Sequence, residues 1–276
     1  MDAVTLYLVV VAGLLGLVIG SFLNVVAYRV PAGISLLRES RCPHCDAPVR
    51  WWQNVPVVGW LALRGRCASC GAGISARYPI VEAVTGLLFA FVAWWFVGPA
   101  TQAGTSLPPA ATIVVTIAFL YLAAISVVLT LIDVDTHRLP NVIVLPSYIV
   151  GALLLATACL LGADWWALAR AGIGMAAMFA FYFVLRLIRP DGMGGGDVKL
   201  AGLLGMHLAW LGWGPLVVGA FAAFLLGGVV GIALMALRRA NRRTAIPFGP
   251  WMIAGAWVGI FAGEALGRFY GDLYAS

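Results

Sequence analysis

Long apolar runs alternate with short polar breaks along this chain. Eight runs stand out, at about residues 6–28, 79–97, 110–132, 142–161, 166–187, 198–211, 215–237 and 247–266. A helix needs about 20 apolar residues to cross the hydrocarbon core, so the sixth run is short for a full crossing and the others suffice. Lipid offers no partner to backbone N–H and C=O groups, and a helix satisfies them within its own segment. The pattern therefore predicts an all-α polytopic membrane protein with about eight transmembrane helices. Residues 31–78, polar and Arg-rich, form the one break long enough for a small extramembrane domain. The expected organisation is a first transmembrane helix (1–30), a loop domain (31–78) and a multi-helix membrane domain (79–276).

Composition agrees, with 63% hydrophobic and 10% charged residues in 276, against roughly 25% charged in soluble domains. A net charge of +6 and a pI near 9.3 raise the question of nucleic acid, which the placement of the charges answers. When sides alternate from the first run, only Arg170 and Arg268 of the 17 Lys and Arg residues fall on one side. Basic residues concentrate in cytoplasmic loops, so the crowded side is cytoplasmic and the charge needs no nucleic acid. Trp94, Trp95, Trp165, Trp166, Trp210 and Trp213 fall near the opposite ends, where an aromatic belt is expected. The start, Met1-Asp2, lacks a basic n-region, and Arg29 follows the run. An uncleaved first span is expected there.

Two places interrupt the hydrocarbon with acids. Gly192-Met193-Gly194-Gly195-Gly196-Asp197-Val198-Lys199-Leu200 opens the sixth run, and Leu131-Ile132-Asp133-Val134-Asp135 closes the third. Ionisable groups at such depth are costly unless paired or wet, and they mark function by default. All three aspartates come out on the cytoplasmic side. Two carboxylates held close share a proton. One can then take a proton from water while the other polarises a peptide carbonyl. The simpler reading of Asp197 is a helix cap, and spacing alone leaves Asp135 open as the partner in place of Asp133. His137 and Arg138 read as headgroup-level residues, Glu82 as an intramembrane acid facing the cytoplasm. Glu264 and Arg268 have the spacing of a helix-surface ion pair. Arg238, Arg239, Arg242 and Arg243 suit anionic lipid. The run from Gly227-Gly228 to Gly231 suits helix packing.

Cys42-Pro43-His44-Cys45 and Cys67-Ala68-Ser69-Cys70 have 21 residues between them. Four thiolates in two knuckles fit a closed, structural zinc site, in a reducing compartment. A redox dithiol needs one such pair, not two. His44 is surplus once four sulfurs complete the shell, and Cys159 reads as a packing residue. A loop domain this small needs a metal staple.

Together these residues resemble the prepilin leader peptidases, membrane aspartic proteases that are also N-methyltransferases. The first half carries Gly20-Ser21-Phe22-Leu23-Asn24-Val25 with Tyr28-Arg29-Val30-Pro31, both Cys pairs, Gln53-Asn54-Val55-Pro56, Gly65-Arg66-Cys67, and Ile74-Ser75-Ala76-Arg77-Tyr78-Pro79 leading to Glu82. The second half adds Ile132-Asp133 through Leu139-Pro140-Asn141, the glycine motif with Asp197, and Pro247-Phe248-Gly249-Pro250. The likeness runs almost end to end and is more specific than the Gly-x-Gly-Asp element, which presenilin-type proteases share. It implies Asp133 and Asp197 as the catalytic acids, and so chooses Asp133 over Asp135. It also implies substrates: type IV prepilins and type II secretion pseudopilins, cut after a basic leader at the cytoplasmic side of the bacterial inner membrane. The new N-terminal residue would then be methylated from S-adenosylmethionine. No Gly-rich nucleotide motif marks the methyl-donor site, and Asn24, Arg29 and Glu82 are the candidates to contribute to it. Many relatives carry Asp where this chain has Asn141. The rival readings are an ion-coupled transporter, for which internal repeats and midplane acids are missing, and a non-enzymatic zinc-bearing assembly factor.

Overall fold

The computed structural model describes residues 2–98, 107–189, 193–237 and 247–275, with side chains as far as 269. Gly192, most of the chargeless loop at 98–109, and Arg238, Arg239, Arg242 and Arg243 lie outside the described residues. The described helices are α1 (Ala3–Arg29), the short α2 (Val58–Ala62), α3 (Arg77–Val97), α4 (Pro109–Thr136), α5 (Asn141–Leu160), α6 (Trp165–Ile188), α7 (Gly195–Leu211), α8 (Trp213–Ala236) and α9 (Gly249–Ala275). Eight of these are long and match the eight apolar runs. Six of them, α1, α3, α4, α5, α6 and α8, are long and apolar enough to cross a membrane. The chain divides into two compact units, residues 1–128 and 129–276, with the end of α4 in the second.

In the first unit, α1 begins at Asp2, whose carboxylate accepts from the Thr5 N–H at 2.7 Å. Its small residues lie along α3: a Cβ at Gly16 would stand 2.9 Å from Gly86 Cα, and one at Gly20 would stand 2.8 Å from Glu82 Cα. Lipid supplies no hydrophobic drive between helices, so close backbone approach of this kind is what holds them. The Asn24 amide bridges the pair, donating to the carbonyls of Gly20 (3.2 Å) and Tyr78 (3.3 Å).

The second unit is built around α7. Val198, Leu200 and every residue from Ala201 to Trp210 are buried, and α5, α6, α8 and α9 all pack on this helix. A helix apolar all round belongs inside a protein. Its 17 residues span about 26 Å, which is why the sixth run is short. Enclosure also corrects one expectation. Trp210 is 5% exposed and sits in this core, not in an aromatic belt, whereas Trp165, Trp166 and Trp213 are exposed. The helices meet through small residues. A Cβ at Gly174 of α6 would stand 2.8 Å from the Gly205 carbonyl of α7, and one at Gly259 of α9 would stand 2.8 Å from Gly219 Cα of α8. The expected packing run behaves otherwise. Positions 228 and 231 have no neighbour within 4 Å among the described residues, and of the three glycines only Gly227 meets another segment, at Phe248 and Trp251. On α8 the seam falls earlier, at Pro215 and Gly219. Arg170 caps the far end of α7, donating to the carbonyls of Ala209 (2.5 Å) and Trp210 (2.6 Å).

Candidate active site and metal centre

Asp133 lies one turn from the end of α4 and is 5% exposed, while Asp135 is exposed. Two residues along a helix turn a side chain to nearly the opposite face, so burial separates the two acids where spacing did not. The first N–H groups of a helix have no partner within it. The Gly249 N–H, opening α9, donates to Asp133 Oδ2 at 3.1 Å, and the positive end of that helix favours an anion. A Cβ at Gly249 would stand 2.6 Å from the same oxygen, so only glycine lets the backbone this close. The α4 helix ends at Thr136, and His137 after it is in the left-handed region at φ +55°. Leu139-Pro140 then turns the chain into α5.

Asp197 occupies the first turn of α7, and its Oδ2 accepts from the Gly194 N–H at 3.0 Å. The capping role expected as the simple alternative is therefore real, and it fixes the side chain's rotamer. Capping also leaves capacity unused, since a carboxylate has about four acceptor sites. The Asp133 and Asp197 carboxylates lie within electrostatic reach of one another. Leu139 lies beside the glycine next to Asp197 and the glycine that bonds Asp133: its Cβ would stand 2.8 Å from a Cβ at Gly196 and its Cδ1 3.6 Å from one at Gly249. Nearby, Lys199 Nζ donates to Asn141 Oδ1 at 2.8 Å, tying the starts of α5 and α7 together. One acid thus sits in the last turn of α4, held by the N-terminus of α9, and the other in the first turn of α7. Two carboxylates that influence one another electrostatically can divide acid and base roles, one activating water while the other polarises a carbonyl. Gly249 and Leu139 had no assigned role in the sequence reading. The signal for Gly249 was present in Phe248-Gly249-Pro250, because a Gly-Pro step opening an apolar run marks a helix N-terminus with a bare amide.

In the loop domain the two Cys pairs are near-copies. Cys42 N–H donates to the Ala47 carbonyl and Asp46 N–H to the Cys42 carbonyl, both at 2.9 Å; Cys67 to Ala72 (2.8 Å) and Gly71 to Cys67 (2.9 Å) repeat the pattern. The residue after each second cysteine, Asp46 or Gly71, has φ of +54° or +72°. Bridges Arg41–Pro48 and Arg66–Gly73 close each knuckle. All four sulfurs lie within 4.8 Å of one another, with Cys42–Cys70 at 3.9 Å and Cys45–Cys67 at 4.0 Å. A tetrahedral zinc with bonds of about 2.3 Å has sulfur–sulfur edges of about 3.8 Å, so the cluster fits that ion. The amides of Cys70 and then Ser69 pull the Cys67 thiol down to about 6, whereas at Cys45 the Ala47 amide is outweighed by the neighbouring sulfurs, which push that thiol up, so a metal there must displace a proton.

Asn24, Arg29 and Glu82 shape the base of this domain. Buried Arg29 donates to the carbonyls of Ser35 (3.3 Å), Leu36 (3.1 Å), Arg38 and Glu39 (3.3 Å). Glu82 is buried and accepts from the Val57 N–H at 2.7 Å, holding a turn where Val57 has φ +60°. An open pocket of about 310 Å³ lies beside the first knuckle, lined by Glu39, Ser40, Pro48, Val49, Trp51 and Asn54.

Comparison with known proteins covers both units. Residues 14–96 match the model of the bacterial peptidase A24 N-terminal domain, and residues 119–232 match that of the type IV leader peptidase family. Similar proteins named prepilin leader peptidase/N-methyltransferase occur in several bacteria. The Stutzerimonas stutzeri protein is 37% identical over 290 residues, covering 95% of this chain and 93% of its own. Those of Pseudomonas aeruginosa (35% over 282 residues, 93% and 91%) and Neisseria gonorrhoeae (35% over 292 residues, 95% and 93%) are comparable. No solved structure matches.

Proposed function

We propose, since this chain belongs to the type IV leader peptidase family, that Asp133 and Asp197 are the acids with which it cleaves prepilin leaders. The observation that carries this reading is one buried carboxylate on the N-terminus of α9 within electrostatic reach of another in the first turn of α7. One aspartate takes a proton from water as the water oxygen bonds to the scissile carbonyl carbon. The other, protonated, gives its proton to the carbonyl oxygen. As the tetrahedral species collapses the C–N bond breaks, the nitrogen takes a proton from the first acid, and the carbonyl oxygen returns its own to the second.

The substrate's form suits the place. A prepilin or pseudopilin is a hydrophobic helix behind a charged leader, so its scissile bond waits at the cytoplasmic boundary of the inner membrane. The one-sided basic residues support that orientation of the enzyme. The second activity, N-methylation, uses S-adenosylmethionine as donor and belongs to the loop domain, with zinc on Cys42, Cys45, Cys67 and Cys70 as its staple. Arg29 holds the Glu39 carbonyl, and Glu82 holds Val57, close to Asn54. Both therefore shape the pocket lined by Glu39, Trp51 and Asn54, which is our candidate for the donor, and Asn24 supports them from the α1–α3 seam.

The test is cleavage of a purified prepilin in detergent. Asp133→Asn and Asp197→Asn are expected to lose activity by about 10²- to 10⁴-fold or more with helix content unchanged, and Asp135→Asn to stay near wild type. Full cleavage by either of the first two refutes the pair.

A further inference from the structure

One polar atom near the aspartates has no partner among the described residues. The Tyr182 side chain is 0% exposed, and its hydroxyl is buried without a hydrogen bond among the described residues. Such an orphan is costly, and buried tyrosines usually satisfy the hydroxyl. Aromatic rings pack around it. The ring stacks on Phe224 (centroids 5.6 Å apart, 27° between planes) and lies 6.3 Å from Phe248, which itself lies 5.4 Å from Phe224. Phe248 directly precedes Gly249, the donor to Asp133.

Helix register leads to the same place. Along the antiparallel α6–α7 seam, Met178 meets Gly205, Phe179 meets Gly202 and Arg186 meets Gly195. Tyr182 falls between these contacts, opposite the first two turns of α7, and Asp197 acts on it electrostatically. Yet Asp197 takes its hydrogen bond from Gly194, and the phenol stays unbonded. The hydroxyl keeps its donor unused beside the start of α7, so an acceptor brought there by a guest peptide would complete it.

Building on the aspartate-pair reading, we propose that the Tyr182 O–H is a substrate-binding donor, aimed at the backbone carbonyl of the scissile peptide. The phenol keeps its proton throughout and donates a hydrogen bond that strengthens as charge grows on the carbonyl oxygen. The orphan hydroxyl of the resting site becomes satisfied only when the peptide is in place, so the binding site is preorganised at a cost in resting stability.

Tyr182→Phe removes the oxygen and keeps the aromatic cage. Measured with the full-length enzyme on a purified prepilin, it is expected to lower kcat by about 10- to 100-fold with a smaller change in KM. The thermal midpoint should equal or exceed that of the wild type, because no folded-state hydrogen bond is lost. Cleavage within twofold of wild type overturns the proposal. So does a fall in thermal midpoint together with activity, which would show that the hydroxyl was already bonded. Asp133→Asn and Asp197→Asn run alongside: if they cleave normally the pair itself fails, whereas their loss with a normal Tyr182→Phe removes only the tyrosine's role.

Discussion

At the scale of single residues, the centre depends on atoms that are missing as much as on those present. Glycine at 249 lets an amide reach Asp133, and a methyl group there would stand 2.6 Å from the carboxylate oxygen. Gly249→Ala must therefore displace the acid or the start of α9, and misplacement by about 1 Å can cost roughly 10² in rate. We expect a loss of that order in kcat for prepilin cleavage, with the protein still inserted and folded. Normal turnover would mean that the Asp133–Gly249 contact is dispensable. Residues of this kind also mark where reading from sequence runs out. Asp133 and Asp197 were legible as candidates, because an acid in hydrocarbon demands a reason. The choice between Asp133 and Asp135 was not, since it depends on which helix face is covered. Tyr182 was invisible for a similar reason: among many aromatic residues in apolar runs, only burial and an orphan oxygen distinguish it.

Helices were legible wherever run length decides, and the short sixth run was the informative one. Its 17-residue helix is enclosed on all sides, so it can carry Asp197 at its start without exposing that acid to lipid. Packing seams were harder to read, because glycine has the same meaning in any apolar run until a partner is known. Gly16 and Gly228 make the contrast. A Cβ at Gly16 would meet backbone atoms of α3, Thr85 O at 2.8 Å and Gly86 Cα at 2.9 Å, while position 228 faces open space. Overpacking typically costs about 1–3 kcal/mol, whereas glycine to alanine in a helix gains roughly 0.5–1 kcal/mol. Gly16→Ala should lower the thermal midpoint, and Gly228→Ala should hold or raise it. Differential scanning of both variants in one detergent decides the matter, and equal shifts would mean that the α1–α3 contact is looser than its geometry.

The whole molecule divides into two units, each holding its own set of candidate residues. The sulfur cluster and the pocket beside it belong to residues 1–128, and the aspartates to residues 129–276. The family models divide the chain similarly, at 14–96 and 119–232. Folding of the knuckles is coupled to metal, because a loop domain without a core gains its order from the ion. The aspartate unit has a buried central helix and needs no such help. Cys42→Ser or Cys67→Ser should therefore abolish stoichiometric zinc, read by elemental analysis, and remove most of the methyl transfer to a mature pilin N-terminus. Leader cleavage should fall much less, because the acids keep their helix termini. Conversely, Asp197→Asn should still methylate a pilin supplied already cleaved. Equal loss of both activities in the cysteine variants would mean that the metal-bearing loops also hold the peptidase site together, and the division of labour would fail. Absence of zinc from the wild-type protein would remove the staple itself, leaving the matched sulfur distances without a chemical reason.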